Sequence, residues 1–239
     1  MKNELKNSTV LPKTLILFEK EKGGVGATGS LITLAHHHIL AGTPVSFIEA
    51  SITQRDVYNA YGKHHEVKLI DLTLSDAGDM LIDAVVSAPE GAVIMANIPG
   101  GSLSALDEVH AVVAYASEHM PELFNTNIIW TMGLDHASKT TLLALLECDL
   151  PGPVHLNLPR WHGEEQDYSL VDEELVDRIF ASGGDVFVTP AMPKHLYDLF
   201  RVHQIATDRM ASQANFSFGN RMKLGMWEKA VAAAFEGRF

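Results

Sequence analysis

The chain has 239 residues, of which 46% are hydrophobic and 20% charged, and these proportions are those of one sizeable globular domain. Its net charge of −12 excludes a protein whose whole surface binds nucleic acid, and no apolar run approaches the roughly 18 residues of a membrane-spanning helix. The single cysteine, Cys148, excludes an internal disulfide; together with the lack of a signal-peptide pattern, it predicts a cytoplasmic protein.

Short apolar runs alternate with helical patterns along the chain, and these runs are continuous, as is typical of strands that are buried on both faces. The predicted strands cover residues 14–18, 44–49, 67–72, 91–98, 126–132, 153–158 and 185–190. The predicted helices cover residues 28–41, 54–61, 75–87, 102–119, 136–147, 170–181, 193–211 and 220–236. This alternation predicts an α/β fold with a doubly wound, mainly parallel sheet of about seven strands and helices on both faces.

No repeat, linker or low-complexity block divides the sequence. We therefore predict a single domain over residues 1–239, with a flexible tail at 1–12 and a C-terminal helical segment at 220–239.

The stretch EKGGVGATGS, residues 21–30, connects the first predicted strand to the first predicted helix, where α/β folds bind ligands. Its glycines permit positive φ and close approach of a ligand, and its N–H groups and the following helix favour an anion. Thr28 stands where a hydroxyl would ligate Mg²⁺. We interpret the stretch as the phosphate-binding loop of a P-loop NTPase that binds ATP or ADP with Mg²⁺, formed by Lys22, Gly23, Gly24, Val25, Gly26, Ala27, Thr28 and Gly29.

Lys22 stands immediately before the glycine pair, as in the deviant Walker A pattern KGGxxGK[ST], and the chain in this respect resembles the ParA/MinD family of P-loop ATPases. The resemblance implies a homodimer in the ATP state, in which Lys22 reaches the phosphates bound to the partner subunit. A compact charge on a long stem suits that catalytic role.

Three further pieces, VKLIDL, PVHLNLPRWHGE and NFSFGNRMKLGMWEKAV, are similar to the conjugative-plasmid branch of this family, the TraL and StbB type. This similarity implies a cytoplasmic ATPase, with nucleoid association as an option, that acts in plasmid positioning, stability or transfer beside a DNA-binding partner protein. It also implies that Asn157 contacts adenine and that Pro190 belongs to the nucleotide site. The stretch RWHGEE, residues 160–165, follows a strand end near the predicted cleft.

Three positions depart from the family pattern. Ala27 replaces the loop lysine that reaches the β- and γ-phosphates. Ser51 follows Glu49 where the family has a second aspartate that orients the attacking water, and a serine is a poor general base, so that Glu49 or Asp56 is a substitute candidate. Asn97 replaces the Walker B aspartate before the predicted switch turn at residues 98–100.

Two explanations for Ala27 stay open: an engineered substitution, which we favour, or a natural pseudo-ATPase in which Ser51 and Asn97 are further signs of lost catalysis. Both predict slow or absent ATP hydrolysis. The alternative function is a non-catalytic ATP-binding scaffold that recruits partners. A small-molecule kinase would need a lid rich in arginine, and the arginines of this sequence are few and scattered.

The C-terminal residues 190–239 hold seven Lys/Arg against four acids, so this segment is a candidate for direct DNA contact on an otherwise acidic protein. In the last predicted helix, apolar residues recur on one face: Leu224, Trp227, Val231 and Phe235. We expect this face to pack against the protein's own core rather than a membrane, because the apolar face is small. We also expect Cys148 to be buried.

Overall fold

The computed structural model describes residues 11–101, 103–160 and 168–239. Most of the predicted tail, and residues 161–165 of the RWHGEE stretch, lie outside these ranges.

A single seven-stranded sheet forms the centre of the fold, and every strand pair in it is parallel. The strands are β1 (Lys13–Glu19), β2 (Val45–Glu49), β3 (Val67–Leu69), β4 (Val93–Asn97), β5 (Phe124–Thr131), β6 (Val154–Pro159) and β7 (Val186–Thr189). Their order is β3-β2-β4-β1-β5-β6-β7. All seven predicted strands are confirmed. The predicted third strand is longer than the observed one, since 70–72 leave the sheet.

Eight helices cover the two faces of the sheet within the described residues: α1 (Ala27–Leu40), α2 (Asp56–Tyr61), α3 (Ala77–Ser87), α4 (Leu103–His119), α5 (His136–Leu145), α6 (Glu173–Ala181), α7 (Lys194–Arg201) and α8 (Phe218–Phe235). Successive side chains of a strand point to opposite faces, so Leu15 and Leu17 of β1 pack under α3 to α6. Ile16 and Phe18 pack under α1, α2, α7 and α8. The doubly wound fold predicted from the sequence is confirmed.

The helix predicted over residues 193–211 is wrong as one element. Helix α7 ends at Arg201, and a separate 3-10 helix covers Thr207–Ser212. The backbone between them turns through Gln204, whose φ of 55° lies in the left-handed region that a continuous right-handed helix cannot contain. Apolar residues on both sides of this break had suggested a continuous helical period.

The apolar face of α8 packs against the protein's own core, as predicted. Its four residues are at most 5% exposed: Leu224, Trp227, Val231 and Phe235. The ring of Trp227 lies 4.9 Å from that of His36, whose nitrogens contact Thr207 Oγ1 at 3.0 Å and Glu228 Oε1 at 3.2 Å. The histidine run of α1 thus contributes a buried ring to the packing between α1 and α8.

Two smaller points complete the architecture. Cys148 is exposed, so its predicted burial is wrong; it lies beyond the end of α5, where its Sγ donates to the Ala144 carbonyl oxygen at 3.5 Å. Across the described ranges, no helix is both long and apolar enough to cross a bilayer.

Candidate functional site

The strand order reverses at β1, which lies between β4 and β5 at the centre of the sheet. Such a reversal opens a crevice beyond the carboxyl ends of the strands, because the connections on its two sides lead away to opposite faces. The loop that joins β1 to α1, residues 20–26, lies over this crevice. The predicted phosphate-binding loop is therefore at the position where doubly wound folds bind ligands.

The loop has the backbone that an anion cradle requires. Gly24 and Gly26 have φ values of 83° and 94°, which residues with a Cβ rarely adopt. Gly26 also precedes α1, where no side chain caps the helix and no acidic residue occupies the first turn. The first N–H groups of α1 are thus left for a ligand, and the helix dipole favours a negative charge there.

The turn after β4 packs directly against this loop. A Cβ added to Gly100 would lie 2.5 Å from the carbonyl carbon of Lys22, so only glycine fits at this contact. The N–H of Gly101 donates to the Glu21 carbonyl oxygen at 2.8 Å. Loop and turn therefore form one unit, and a displacement of one moves the other.

A cleft of ≈ 440 Å³ opens beside the loop. Its walls come from the loop and the start of α1, from the segment after β2, and from α7 with the residues before it. The lining residues are Lys20, Gly23, Gly24, Gly26, Ala27, Thr28, Gly29, Gln54, Asp56, Met192, Lys194, Tyr197 and Arg201. Six of the residues predicted to bind the nucleotide are thus on the wall of one cleft.

A chain of hydrogen bonds connects three elements at the floor of the site. The Thr28 hydroxyl donates to Asn97 Oδ1 at 3.3 Å, and Asn97 Nδ2 donates to Glu49 Oε1 at 2.8 Å. The Val57 N–H donates to Glu49 Oε2 at 3.0 Å. Thr28, Asn97 and Glu49 are far apart in sequence, and the fold brings the start of α1 together with the ends of β4 and β2.

Glu49 is completely buried in this chain of contacts. Burial raises the pKa of its carboxyl group to about 7, although the hydrogen bonds from Asn97 and from the Val57 N–H oppose the shift. Its two oxygens already accept these bonds, so Glu49 is a poor candidate for orienting water in the cleft. Asp56, by contrast, lies on the cleft wall.

Ser51 holds the turn that follows β2, where its Oγ accepts a hydrogen bond from the Gln54 N–H at 3.2 Å. The described residues that line the cleft do not include it. A catalytic role for Ser51 remains a prediction, and its observed contact is that of a turn residue.

Lys22 points away from the cleft floor. Its side chain is 52% exposed and its ammonium is hydrogen-bonded and ion-paired with Asp135, the residue that caps α5. The hydrogen bond from Lys22 to Asp135 raises the pKa of the lysine. Both residues border a second, smaller cavity of ≈ 260 Å³, which also contacts Gly23, Gly24 and Val25. The position leaves Lys22 on the surface of the loop, where its predicted role across a dimer interface stays a prediction.

Asn157, at the end of β6, is fully buried. Its amide donates to Ser30 Oγ at 2.7 Å and Thr131 Oγ1 at 3.3 Å, and accepts from Thr189 Oγ1 at 2.7 Å. Adenine contact through this side chain therefore requires that one of the bonds be exchanged. Pro190 follows β7 and is half-buried, just before the residues that enter the cleft wall at Met192. Both assignments remain predictions.

Lys20 is not among the site residues predicted from the sequence; it follows β1 and is 9% exposed. Its ammonium donates to the Ile98 carbonyl oxygen and lies 3.5 Å from Asn97 Oδ1. Burial lowers the pKa of Lys20 to about 8, and the charges of Glu49 and Glu19 oppose this shift. A lysine directly after a buried strand at the ligand-binding edge was the signal available in the sequence.

Glu19, the last residue of β1, was also missed. It is fully buried, and its Oε1 lies 2.7 Å from His110 Nε2 of α4. Its Oε2 has no hydrogen-bond partner among the described residues. Buried ionisable side chains therefore extend from Lys20 at the cleft floor, through Glu19, to His110 in the helix layer that contains α4.

Comparisons with known proteins agree with this architecture. No family model matches the chain. It is 25% identical over 236 residues to the protein MobD of Acidithiobacillus ferrooxidans, with 95% of this chain and 98% of MobD covered. Its fold resembles that of the septum site-determining protein MinD of Pyrococcus horikoshii, solved with Mg-ADP, at a TM-score of 0.51 and 12% identity over 91% of this chain and 96% of MinD.

Two further solved structures have TM-scores of 0.50. The MinC:MinD cell division protein complex of Aquifex aeolicus matches at 15% identity, with 92% of this chain and 96% of the other covered. A nucleotide-binding protein of Archaeoglobus fulgidus, solved with ADP, matches at 14% identity, with 80% and 87% covered. At these identities the matches establish a shared fold, the P-loop NTPase fold of MinD. The TraL and StbB branch stays a prediction.

Proposed function

We propose that this chain is a nucleotide-dependent dimerising switch of the ParA/MinD type, which binds ATP or ADP with Mg²⁺ in the cleft over β1. The observation that carries this proposal is the contact of Thr28 with Asn97 beneath an uncapped, glycine-rich helix start. It joins the phosphate-binding loop to the turn after β4, so a ligand on the loop can change the position of that turn.

The described residues fit the phosphates of such a nucleotide. The positive-φ glycines and free helix N–H groups offer donors to phosphate oxygens, and Thr28 offers a hydroxyl to Mg²⁺. Asn97 can hold a water of the ion but adds no charge. When bound, Mg²⁺ neutralises part of the phosphate charge. Solved proteins of this fold, bound to Mg-ADP or ADP, support the same ligand class here.

The position of Lys22 supports dimerisation in the ATP state. Its side chain is half exposed, and its ion-pair partner among the described residues is Asp135. An exposed ion pair contributes little free energy, so Lys22 can exchange Asp135 for phosphates on a second subunit. The biological role that we propose is plasmid positioning, stability or conjugative transfer with a DNA-binding partner protein. The similarity to MobD along nearly its whole length supports a protein of related kind.

A non-catalytic scaffold is the second candidate, and the contacts of two side chains favour it. Ser51 is engaged in its own turn, and Glu49 is buried with both oxygens bonded, so neither is free to orient water for attack on the γ-phosphate. Ala27 also removes the lysine that stabilises the transferred phosphoryl group. Both observations predict that the chain as it stands binds ATP with slow or no turnover.

The experiment that separates these functions compares the chain with its Ala27→Lys variant. ATP turnover and molar mass by light scattering are recorded for both, with and without Mg·ATP and with and without DNA. Turnover by Ala27→Lys alone, with ATP-dependent dimers of both chains, supports the switch. Dimers of both without turnover in either support the scaffold. Monomers under all conditions contradict both functions.

A further inference from the structure

Lys20 carries a buried positive charge that the proposed function has not yet used. Lysines are rarely buried without an ion-pair partner, because the charged form loses its hydration. Among the described residues, however, no carboxylate oxygen lies within 4.0 Å of its Nζ. Its observed acceptors are an amide and a carbonyl oxygen, on Asn97 and Ile98. Lys20 therefore makes no direct ion pair among the described residues, although the charges of Glu49 and Glu19 act on it from a greater distance.

The lysine also has a hydrogen-bond donor to spare. An ammonium carries three N–H donors, and the two acceptors on the turn after β4 use two of them. Burial lowers the pKa of Lys20, which indicates that the protein alone solvates the charge incompletely. A phosphate oxygen would accept the third hydrogen bond and would give the ammonium a direct ion-pair partner.

Lys20 is positioned where such an oxygen would be. It lines the same cleft as Gly24, Gly26, Ala27 and Thr28. Its Nζ and the Thr28 hydroxyl both approach the same atom, Asn97 Oδ1, at 3.5 Å and 3.3 Å. The cation thus stands beside the residue proposed to bind Mg²⁺, at the floor of the loop.

Because residue 27 is an alanine, α1 supplies no lysine to the floor of the phosphate-binding loop. The Ala27 side chain is 1% exposed and ends at the methyl group, on the first residue of the helix. Lys22 does not fill the gap within the subunit, because its ammonium is on the outer side of the loop with Asp135. Of these two loop lysines, Lys20 alone has its ammonium at the cleft floor.

We propose that Lys20 is the phosphate-binding cation of this cleft and supplies, within the same subunit, the charge that Ala27 does not. The ligand is the β- and γ-phosphate group of the nucleotide, so this inference rests on the proposed function. Lys20 also holds the Ile98 carbonyl, so phosphates that engage its ammonium act directly on the turn after β4. The loop needs no lysine at position 27 to bind a nucleotide.

The test measures Mg·ATP and Mg·ADP affinity for the wild-type chain, Lys20→Met, Ala27→Lys and the double variant Lys20→Met/Ala27→Lys. A charged hydrogen bond to phosphate corresponds to roughly a tenfold to hundredfold change in affinity. We expect Lys20→Met to lose at least about tenfold and the double variant to regain most of it. Lys68→Met, which removes an exposed lysine of β3 outside the cleft, is the charge-matched control and should bind as the wild type does.

The outcomes separate the inference from the function. Wild-type binding that Lys20→Met retains within threefold overturns the role of Lys20 and leaves the nucleotide switch standing. Binding that appears only with Ala27→Lys also overturns it, because Lys20 then does not suffice. No binding by any variant contradicts the proposed function itself. Thermal unfolding identifies a Lys20→Met chain that has failed to fold, and Lys20→Gln then replaces it. If a folded Lys20 variant loses nucleotide affinity and Ala27→Lys does not restore it, the result counts against the proposal.

Discussion

Two polar clusters lie at the carboxyl edge of the same sheet, and they differ in charge and in how completely they are bonded. The amide cluster consists of Asn157, Ser30, Thr131 and Thr189; it is neutral and buried, and three hydrogen bonds connect its members. The charged cluster consists of Glu19, Lys20, Glu49 and Asn97; it is equally buried, but one carboxylate oxygen of Glu19 has no partner among the described residues.

The difference in charge and in hydrogen bonding indicates which cluster stabilises the fold and which one can bind a ligand. A neutral network with all of its bonds made stabilises one packing of β5, β6, β7 and α1, and a ligand can add little to it. A buried charged network with shifted pKa values, by contrast, is typical of a site that a ligand completes. We therefore expect Asn157 to act mainly in the fold, whereas the role proposed for Lys20 is to bind the ligand.

The largest expected effect is on the amide cluster. Asn157→Leu would leave three buried hydroxyls without their partner, and each unsatisfied group costs about 1–3 kcal/mol, so we expect the free energy of unfolding to fall by at least about 3 kcal/mol. Urea unfolding measures the change. Asn125→Leu, an exposed position on β5, should change it by under about 0.5 kcal/mol. A loss below about 1 kcal/mol at position 157 would contradict the structural role.

The charged cluster should give the fold a pH dependence through Glu49. Its pKa in the folded protein is about 7, above the ordinary 4.5, so the fold favours the protonated form. This contribution to stability is complete below about pH 4.5 and is lost as the pH rises through 7. Unfolding free energies measured from pH 5 to 7.5 should show the wild type losing roughly 2 kcal/mol relative to Glu49→Gln. Parallel curves for the two chains would rule out the shifted carboxyl.

Nucleotide affinity should depend on pH through Lys20. Its pKa of about 8 in the free protein reflects burial, opposed by Glu49 on β2 and Glu19 on β1, with His110 of α4 bonded to the latter. Bound phosphates favour the charged form, so affinity should fall by up to about tenfold per pH unit above pH 8. Lys20→Arg keeps its charge and should show a flatter profile. The same dependence of affinity on pH in both chains would show that a group other than Lys20 titrates.

The last effect concerns the contact between loop and turn. Gly100→Ala brings a Cβ to 2.5 Å from the Lys22 backbone, so the backbone must shift, and we expect the free energy of unfolding to fall by about 1–3 kcal/mol. Gly23→Ala, on the same loop, meets no atom within 4 Å and should be close to neutral in unfolding. Equal stability of the two variants would mean that the turn does not press on the loop.

The sequence was most informative about the sheet. Continuous apolar runs identify all seven strands, because a strand covered on both faces carries mostly apolar residues, and the glycines at 23, 24 and 26 identify the loop. The helical pattern fails at Gln204, where the apolar spacing of a helix continues although the backbone leaves the helical conformation. The periodicity of apolar residues indicates which side chains are buried, but it does not indicate the φ of a single residue, on which this break in the helix depends.

The contacts of the site were less predictable. Thr28, Asn97 and Glu49 were each singled out by position, yet their hydrogen bonds depend on the strand order, which places β4 between β1 and β2. Lys20 is not predicted from the sequence because no motif includes it. Its proposed role in phosphate binding depends on its burial in the cleft that Ala27 also lines. For Asn157 the sequence shows a polar residue at a strand end but not its bonds to Ser30, Thr131 and Thr189, and its contact with adenine stays a prediction.

Calorimetric titration of Mg·ATP into the wild-type chain, Gly24→Asp and Gly42→Asp shows directly whether the loop binds the nucleotide. Both glycines have positive φ, 83° and 78°, and both have open space around the added Cβ, but only Gly24 belongs to the phosphate-binding loop. We expect saturable binding of one nucleotide per chain by the wild type and by Gly42→Asp, and loss of binding by Gly24→Asp, where a carboxylate repels phosphate. Absence of binding by the wild type, or unchanged binding by Gly24→Asp, would contradict this expectation.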